Sequence, residues 1–207
     1  MAIRSIVFDL GRVLVDFDPE GYLLSLGFSP ETTNTLLQTV FAKDWPLFDR
    51  GDYASIADLC GALCKKYPAL QTELRRALVP SCVEIHTLRK ETAAYLTALK
   101  RRGYRIYLLS NLGSDSYEFI RQYPFFRDLD GGVFSFRERV CKPDERIYRV
   151  LLERYGLRPA ETAFLDDAPE NVAAAKRLGI HGIVFSGLPA AKAELEALLQ
   201  DDATTAN

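Results

Sequence analysis

Four cysteines and two histidines in 207 residues are too few and too scattered for a thiolate metal scaffold. Cys60, Cys64, Cys82 and Cys141 show no CxxC spacing, so neither a zinc ribbon nor a dithiol redox motif is expected, and the thiols read as reduced. Cys60 and Cys64, four apart, would share one helix face as small core residues. No apolar run approaches the roughly 20 residues of a membrane span. The start, Met1-Ala2-Ile3-Arg4-Ser5, lacks the longer apolar stretch of a signal peptide. Neither sign of charge dominates, with 26 basic and 28 acidic residues and a net charge of −2. No basic stripe argues for nucleic acid, and an anionic ligand must be held by local groups. A reduced, cytoplasmic chain without membrane or nucleic-acid partners is the expectation.

Against that background, five short apolar runs alternate with helical patterns. They are Ile6-Val7-Phe8, Tyr104 to Leu109, Gly132 to Phe136, Thr162 to Leu165 and Ile180 to Phe185. Helical periods run through Ala93, Leu96 and Leu99 up to Gly103, through Ile147, Val150, Leu151 and Tyr155, and through Val172, Ala175 and Leu178 up to Gly179. Strands alternating with helices imply an α/β fold, a Rossmann-like parallel sheet flanked by helices. Residues 16–83 break the rhythm. They hold no convincing strand, only helical fragments around Leu23-Leu24, Thr35 to Val40, Ile56 to Leu63 and Leu70 to Leu78, punctuated by prolines. The division expected is an α/β core from 1–15 and 84–207, with a helical insertion over 16–83. Pro189 to Leu199 reads as a last amphipathic helix and 201–207 as a frayed tail.

Four polar signals follow these apolar runs. Asp9 closes the first, where a carboxylate is costly to desolvate unless paired or metal-bound, and where open α/β sheets bind ligands. Ser110-Asn111-Leu112-Gly113 follows the second, offering a hydroxyl, an amide and free backbone N–H groups to a phosphate-like oxygen, or else a helix cap. Lys142 precedes Pro143, which suits the first turn of the next helix, with Asp144 and Glu145 at its positive end. Asp166-Asp167-Ala168-Pro169-Glu170-Asn171 follows the fourth run. Two adjacent carboxylates repel, and a hard cation such as Mg²⁺ resolves the repulsion. Nucleophilic carboxylate, metal site, hydroxyl and lysine are together the parts of a phosphoryl transfer through an aspartyl phosphate.

With Phe8-Asp9-Leu10-Gly11, Leu108-Leu109-Ser110-Asn111, Cys141-Lys142-Pro143 and Leu165 to Asn171, the chain resembles the haloacid dehalogenase (HAD) superfamily from Ile3 to about Leu188. It resembles in particular the branch with a small helical cap after the first motif, which includes bacterial α-D-glucose-1-phosphate phosphatases and the phosphatase domain of soluble epoxide hydrolases. Trp45 to Ser55, with Phe48-Asp49-Arg50-Gly51-Asp52, matches that branch's cap pattern. The resemblance implies Asp9 as nucleophile and Mg²⁺ ligand, the Gly11 carbonyl and Asp167 as further ligands, and Asp166 assisting directly or from behind. It implies Ser110, Asn111 and Lys142 as phosphoryl-binding groups, and a small phosphate ester, such as a sugar 1-phosphate, as substrate of a monomer or homodimer. Trp45 is expected in the core of the cap.

One departure bears on the chemistry. The family's usual second Asp, two residues after the nucleophile, protonates the leaving group, and here that position is Gly11. Asp16 is an alternative acid nearby in sequence, and Arg12 is expected to point to solvent or gate the cleft. A 2-haloacid dehalogenase would use Asp9 without a metal, and a phosphate-binding module would keep the site without turnover. The paired Asp166-Asp167 speaks against the former and the intact Asp9 and Lys142 against the latter.

Overall fold

Successive side chains of a strand point to opposite faces of its sheet, and the first strand uses both faces for burial. In the computed structural model, which describes residues 2–204 and the side chains of 2–200, β1 (Ser5–Phe8) is wholly buried. Ile6 and Phe8 join one apolar cluster with Ile106, Leu108, Leu165 and Ile183, while Val7 joins another with Tyr107, Leu109 and Phe164. A strand buried on both faces belongs in the middle of a parallel sheet.

The sheet contains β1, β2 (Arg105–Ser110), β3 (Gly131–Phe134), β4 (Thr162–Asp166) and β5 (His181–Val184), in the order β3-β2-β1-β4-β5. All pairings are parallel, with Phe8 in register with Leu108 on one side and Leu165 on the other. The expected α/β, Rossmann-like sheet is therefore the fold. Each strand begins or ends within two residues of its expected run. The largest difference is at Gly132 to Phe136, which ends two residues early because Ser135 already starts a short helix.

Between β1 and β2 the chain forms α1 (Pro19–Ser25), α2 (Pro30–Leu36), α3 (Trp45–Asp49), α4 (Ile56–Lys66), α5 (Gln71–Ala77) and α6 (Lys90–Arg101). Asp18, Ser29 and Ser55 cap α1, α2 and α4 by accepting backbone N–H groups with their side chains. Leu37–Asp44 joins α2 to α3 as a wider π-type turn, an irregularity common at functional sites. This segment has its own apolar cluster, including Leu23, Leu36, Trp45, Phe48, Leu59 and Leu63, with Cys60 and Cys64 on one face of α4. It leaves and rejoins the sheet at one place: Val15 bridges Leu88 antiparallel, Asp16 N–H donates to Thr87 O at 2.7 Å and Arg89 N–H to Leu14 O at 2.9 Å.

The second half continues with α7 (Ser114–Ile120), α8 (Ser135–Glu138), α9 (Glu145–Tyr155), α10 (Pro169–Arg177) and α11 (Leu188–Thr204). Pro143 stands before α9 and not inside its first turn. Asp144 is the cap, its carboxylate accepting Arg146 N–H at 2.9 Å, which moves the helix start two residues on. α11 runs beyond the expected Leu199 into the tail, of which 205–207 lie outside the described residues. No helix among the described residues is long and apolar enough to cross a membrane.

Candidate active site

β1 is flanked by β2 and β4, from which the chain runs outward in opposite directions, the arrangement that opens a crevice beyond the strand ends. Asp9 follows β1 there, its N–H donating to Leu165 O at 2.9 Å. Ser110 ends β2 and Asp166 ends β4. Ligand oxygens of Asp9, Asp166 and Asp167 lie within 4.8 Å of one another.

Lys142 reaches into this group from the loop before α9 and is 5% exposed. An ammonium has three protons, and each has a partner: Asp9 Oδ1 at 2.8 Å, Asp166 Oδ2 at 2.6 Å and Leu109 O at 2.9 Å. Burial opposes its charge, but Asp9 and Asp166 more than offset that and raise its pKa. Asn111 fixes the backbone of the same residue from both sides. Its Oδ1 accepts Lys142 N–H at 2.8 Å and its Nδ2 donates to Lys142 O at 3.0 Å. Asn111 thus holds the lysine through one N–H and its oxygen, and it also lines the cavity with its second amide N–H unassigned.

The two neighbouring aspartates differ. Asp166 is fully buried, and its Oδ1 accepts Ala168 N–H and Asn171 Nδ2, both at 2.9 Å, while Oδ2 holds Lys142. Asp167 is half-buried and faces the cavity, with Arg12 Nη1 3.5 Å away. Burial, and then the charge of Asp166, raise the pKa of Asp167. The carboxyl of Asp9 is pushed up to about 6, by burial first and Asp166 third, with Lys142 opposing. Ser110 is 1% exposed, and its hydroxyl donates a long 3.4 Å bond to Asn111 O. Arg12 is largely exposed beside the cavity with a left-handed φ of 56°, a conformation that a small residue or Asn adopts more readily.

A cavity of about 290 Å³ lies between these groups and the helical segment. Gly11, Asn111 and Lys142 line one side, and Phe17, Trp45, Asp49 and His86 the other. Asp16 is not among its walls. It pairs with Arg89 at 2.6 Å at a separate surface hollow, so it is not positioned to replace the acid missing at Gly11.

Asp49 was not singled out by the sequence. It ends α3, half-buried, and its carboxyl is pushed up to about 7, by burial first, against a hydrogen bond from Gly113 N–H, with the charge of Asp9 adding to the rise. Its backbone carbonyl accepts the Ser135 hydroxyl, which in turn accepts Leu112 N–H at 2.9 Å. A side chain at Gly113 would begin 2.1 Å from the Phe48 ring, so only glycine permits this close approach. Phe17 and His86 were likewise unmarked, and Asn171 closed the fourth motif without a role assigned to it. Asn171 sits in the first turn of α10, five residues after Asp166, a spacing that makes the contact legible in retrospect. Trp45 is both core, at 4% exposure, and cavity wall.

The chain belongs to the haloacid dehalogenase-like hydrolases, whose family model matches residues 3–179. That makes it a hydrolase, and phosphatases are among its relatives. It is 26% identical over 203 residues to the sesquiterpene phosphatase astK of Aspergillus oryzae, covering 95% of this chain and 96% of that protein. It is 28% identical over 195 residues to the D-ribitol-5-phosphate phosphatase of Bacteroides thetaiotaomicron, covering 86% and 89%. Among solved structures, a HAD family enzyme of Bacteroides thetaiotaomicron in complex with magnesium and inorganic phosphate superposes with a TM-score of 0.68 at 21% identity. The match covers 88% of this chain and 94% of that one.

Proposed function

We propose that the protein is a Mg²⁺-dependent phosphatase that hydrolyses a small phosphate monoester through an aspartyl phosphate on Asp9. The observation that carries this reading is the single cluster of Asp9, Lys142 and Asp167 at the strand ends. The donor set suits a hard cation: Asp9 Oδ1 keeps a lone pair beyond its contact with Lys142, Asp167 faces the cavity, and Gly11 lines it. Asp9, Asp167 and the Gly11 carbonyl would hold the ion, while Asp166, with both oxygens engaged, orients Lys142. Bound there, Mg²⁺ would offset repulsion between Asp9 and a phosphate dianion.

Lys142 fixes Asp9 Oδ1 and leaves Oδ2 to attack phosphorus. The ester P–O bond breaks as the Asp9–phosphorus bond forms. The buried Ser110 hydroxyl, weakly held, turns to a phosphoryl oxygen. Asp49, protonated at or below neutral pH, gives its proton to the departing alkoxide. As a carboxylate it then takes a proton from the water that displaces phosphate and restores Asp9. The carboxyl missing after Asp9 is thus supplied from the opposite wall, by a helical segment acting as a cap over the cleft. The division at 16 and 83 is the corresponding domain proposal, supported by the separate apolar cluster of the insertion. Four unpaired thiols support a reduced, cytoplasmic setting. Kinship with a D-ribitol-5-phosphate phosphatase makes a polyol phosphate the reference ester against which other substrates are compared.

The non-catalytic reading draws on Gly11. Phosphate release from p-nitrophenyl phosphate, with Mg²⁺, with EDTA and with Asp9→Asn, separates the two. Release that needs the metal and falls to background in Asp9→Asn is expected. Phosphate binding without turnover by the Mg²⁺-loaded wild type would replace the enzyme with a binding module.

A further inference from the structure

Beyond the phosphate end, the cavity wall is aromatic. The segment between Val15 and Leu88 contributes Phe17, Trp45, Asp49 and His86 to it. The Phe17 ring lies 5.9 Å from Trp45 and 5.3 Å from His86, and Trp45 stacks on Phe41 at 5.0 Å and meets Phe48 edge-on at 5.3 Å. Rings that brace one another hold a fixed shape. His86 adds no charge near neutrality: burial pushes its pKa down to about 4, and its Nδ1 lies 2.9 Å from Val83 O. Among the described residues, this segment offers the cavity no Ser, Thr, Asn, Gln, Lys or Arg, and apart from Asp49 its polar side-chain atoms there are two at most, the second nitrogen of the neutral His86 ring and the Trp45 indole N–H.

A sugar or polyol would bring several hydroxyls to this wall. Each hydroxyl removed from water without a partner is penalised. The one carboxyl there, Asp49, already accepts Gly113 N–H. Alkyl or aryl surface meets no such penalty and gains from burial against the rings. The volume, about 290 Å³, lies at the small end for ligand sites and calls for a compact molecule.

We infer that the preferred substrate is the phosphate monoester of a compact apolar alcohol, aliphatic or aromatic, in place of a sugar or polyol phosphate; this rests on the phosphatase reading of the same cavity. The apolar wall selects the leaving group, and Phe17, half-buried at the cavity, is a specificity-determining residue.

The test compares kcat/KM for hexyl and benzyl phosphate with that for ribitol 5-phosphate. All three release a primary alkoxide, so leaving-group basicity is nearly matched, and p-nitrophenyl phosphate serves as control. The expected preference is about 100-fold for the apolar esters. Phe17→Asn should cut it by about tenfold, and Phe17→Leu should keep it. Equal rates, or a preference for ribitol 5-phosphate, overturn the inference while turnover of p-nitrophenyl phosphate leaves the phosphatase standing. No release from any ester removes the phosphatase reading and this inference with it. If Phe17→Asn does not fold, the wild-type ratio and Phe17→Leu decide.

Discussion

The strand-end wall of the cavity and the helical wall facing it solve different problems. At the strand ends, Lys142, Asp166, Asn111 and Asn171 hold one another through bonds of 2.6–3.0 Å. Polar groups there are expensive to bury and are kept because every one is answered. The helical wall spends its area on rings and keeps one carboxyl, Asp49, whose burial leaves it poorly stabilised as an anion. The contrast teaches that positioning and selection are separable here. One wall sets where phosphorus sits, and the other sets what is attached to it and when a proton moves.

Breaking the strand-end wall should have the largest effect. Lys142→Met would leave Asp9 and Asp166 buried without a countercharge, at a cost of about 3–5 kcal/mol. Urea unfolding at pH 8 measures it, and the deficit should shrink as the pH falls and the carboxylates take up protons. A deficit independent of pH would mean that lost packing, not charge, is the cause.

Asp49→Asn sharpens the comparison from the other side, since it should separate activity from stability. Turnover of an alkyl phosphate should fall by about 10²–10⁴-fold, while p-nitrophenyl phosphate, whose leaving group needs no proton, should suffer far less. The wild-type carboxyl, raised from 3.8 to about 7, holds a proton that the unfolded chain has released over that interval. Its contribution to stability is therefore full below about pH 4 and lost by the time pH passes 7. Asparagine stays neutral throughout, so the variant should be more stable than wild type at pH 8 by about 1–3 kcal/mol and should lose that advantage at pH 4. Equal thermal midpoints at both pH values would contradict the assignment of Asp49 as a destabilised anion.

The smallest expected effect comes from Asn111→Ala, which removes the paired bonds to the Lys142 backbone but leaves the ammonium contacts. A stability loss of about 1–3 kcal/mol is expected, with kcat reduced more than KM increased, because the nucleophile loses its orientation and the substrate loses no direct contact. A rise in KM alone would place the amide on the substrate.

The strand-end groups were legible because each follows directly on an apolar run, and the sheet brings run ends together whatever lies between them. Asp9, Ser110 and Asp166 needed only that rule. Roles inside the group were less legible. Asn111 read as a phosphoryl-binding group and Asp166 as assisting the metal directly or from behind, and the contacts both make with Lys142 depend on side-chain direction, which spacing does not encode. The helical wall was least legible. Phe17, His86 and the α3 pair Trp45 and Asp49 come from three separate places in a segment without one period, and the π-type turn at Leu37–Asp44 that precedes Trp45 has no sequence signature. Asp49 even lay inside a recognised stretch, Phe48 to Asp52, but its role depends on facing Asp9 across the cavity.

The antiparallel contact of Val15 with Leu88 carries a consequence for how such a molecule changes over time. Entrance and exit stand side by side, so the sheet experiences the whole insertion as a single tight doorway. Whatever is threaded through that doorway, long or short, meets the same two neighbours at the threshold. A lineage could therefore refurnish the room above the reaction many times over without relaying the floor beneath it.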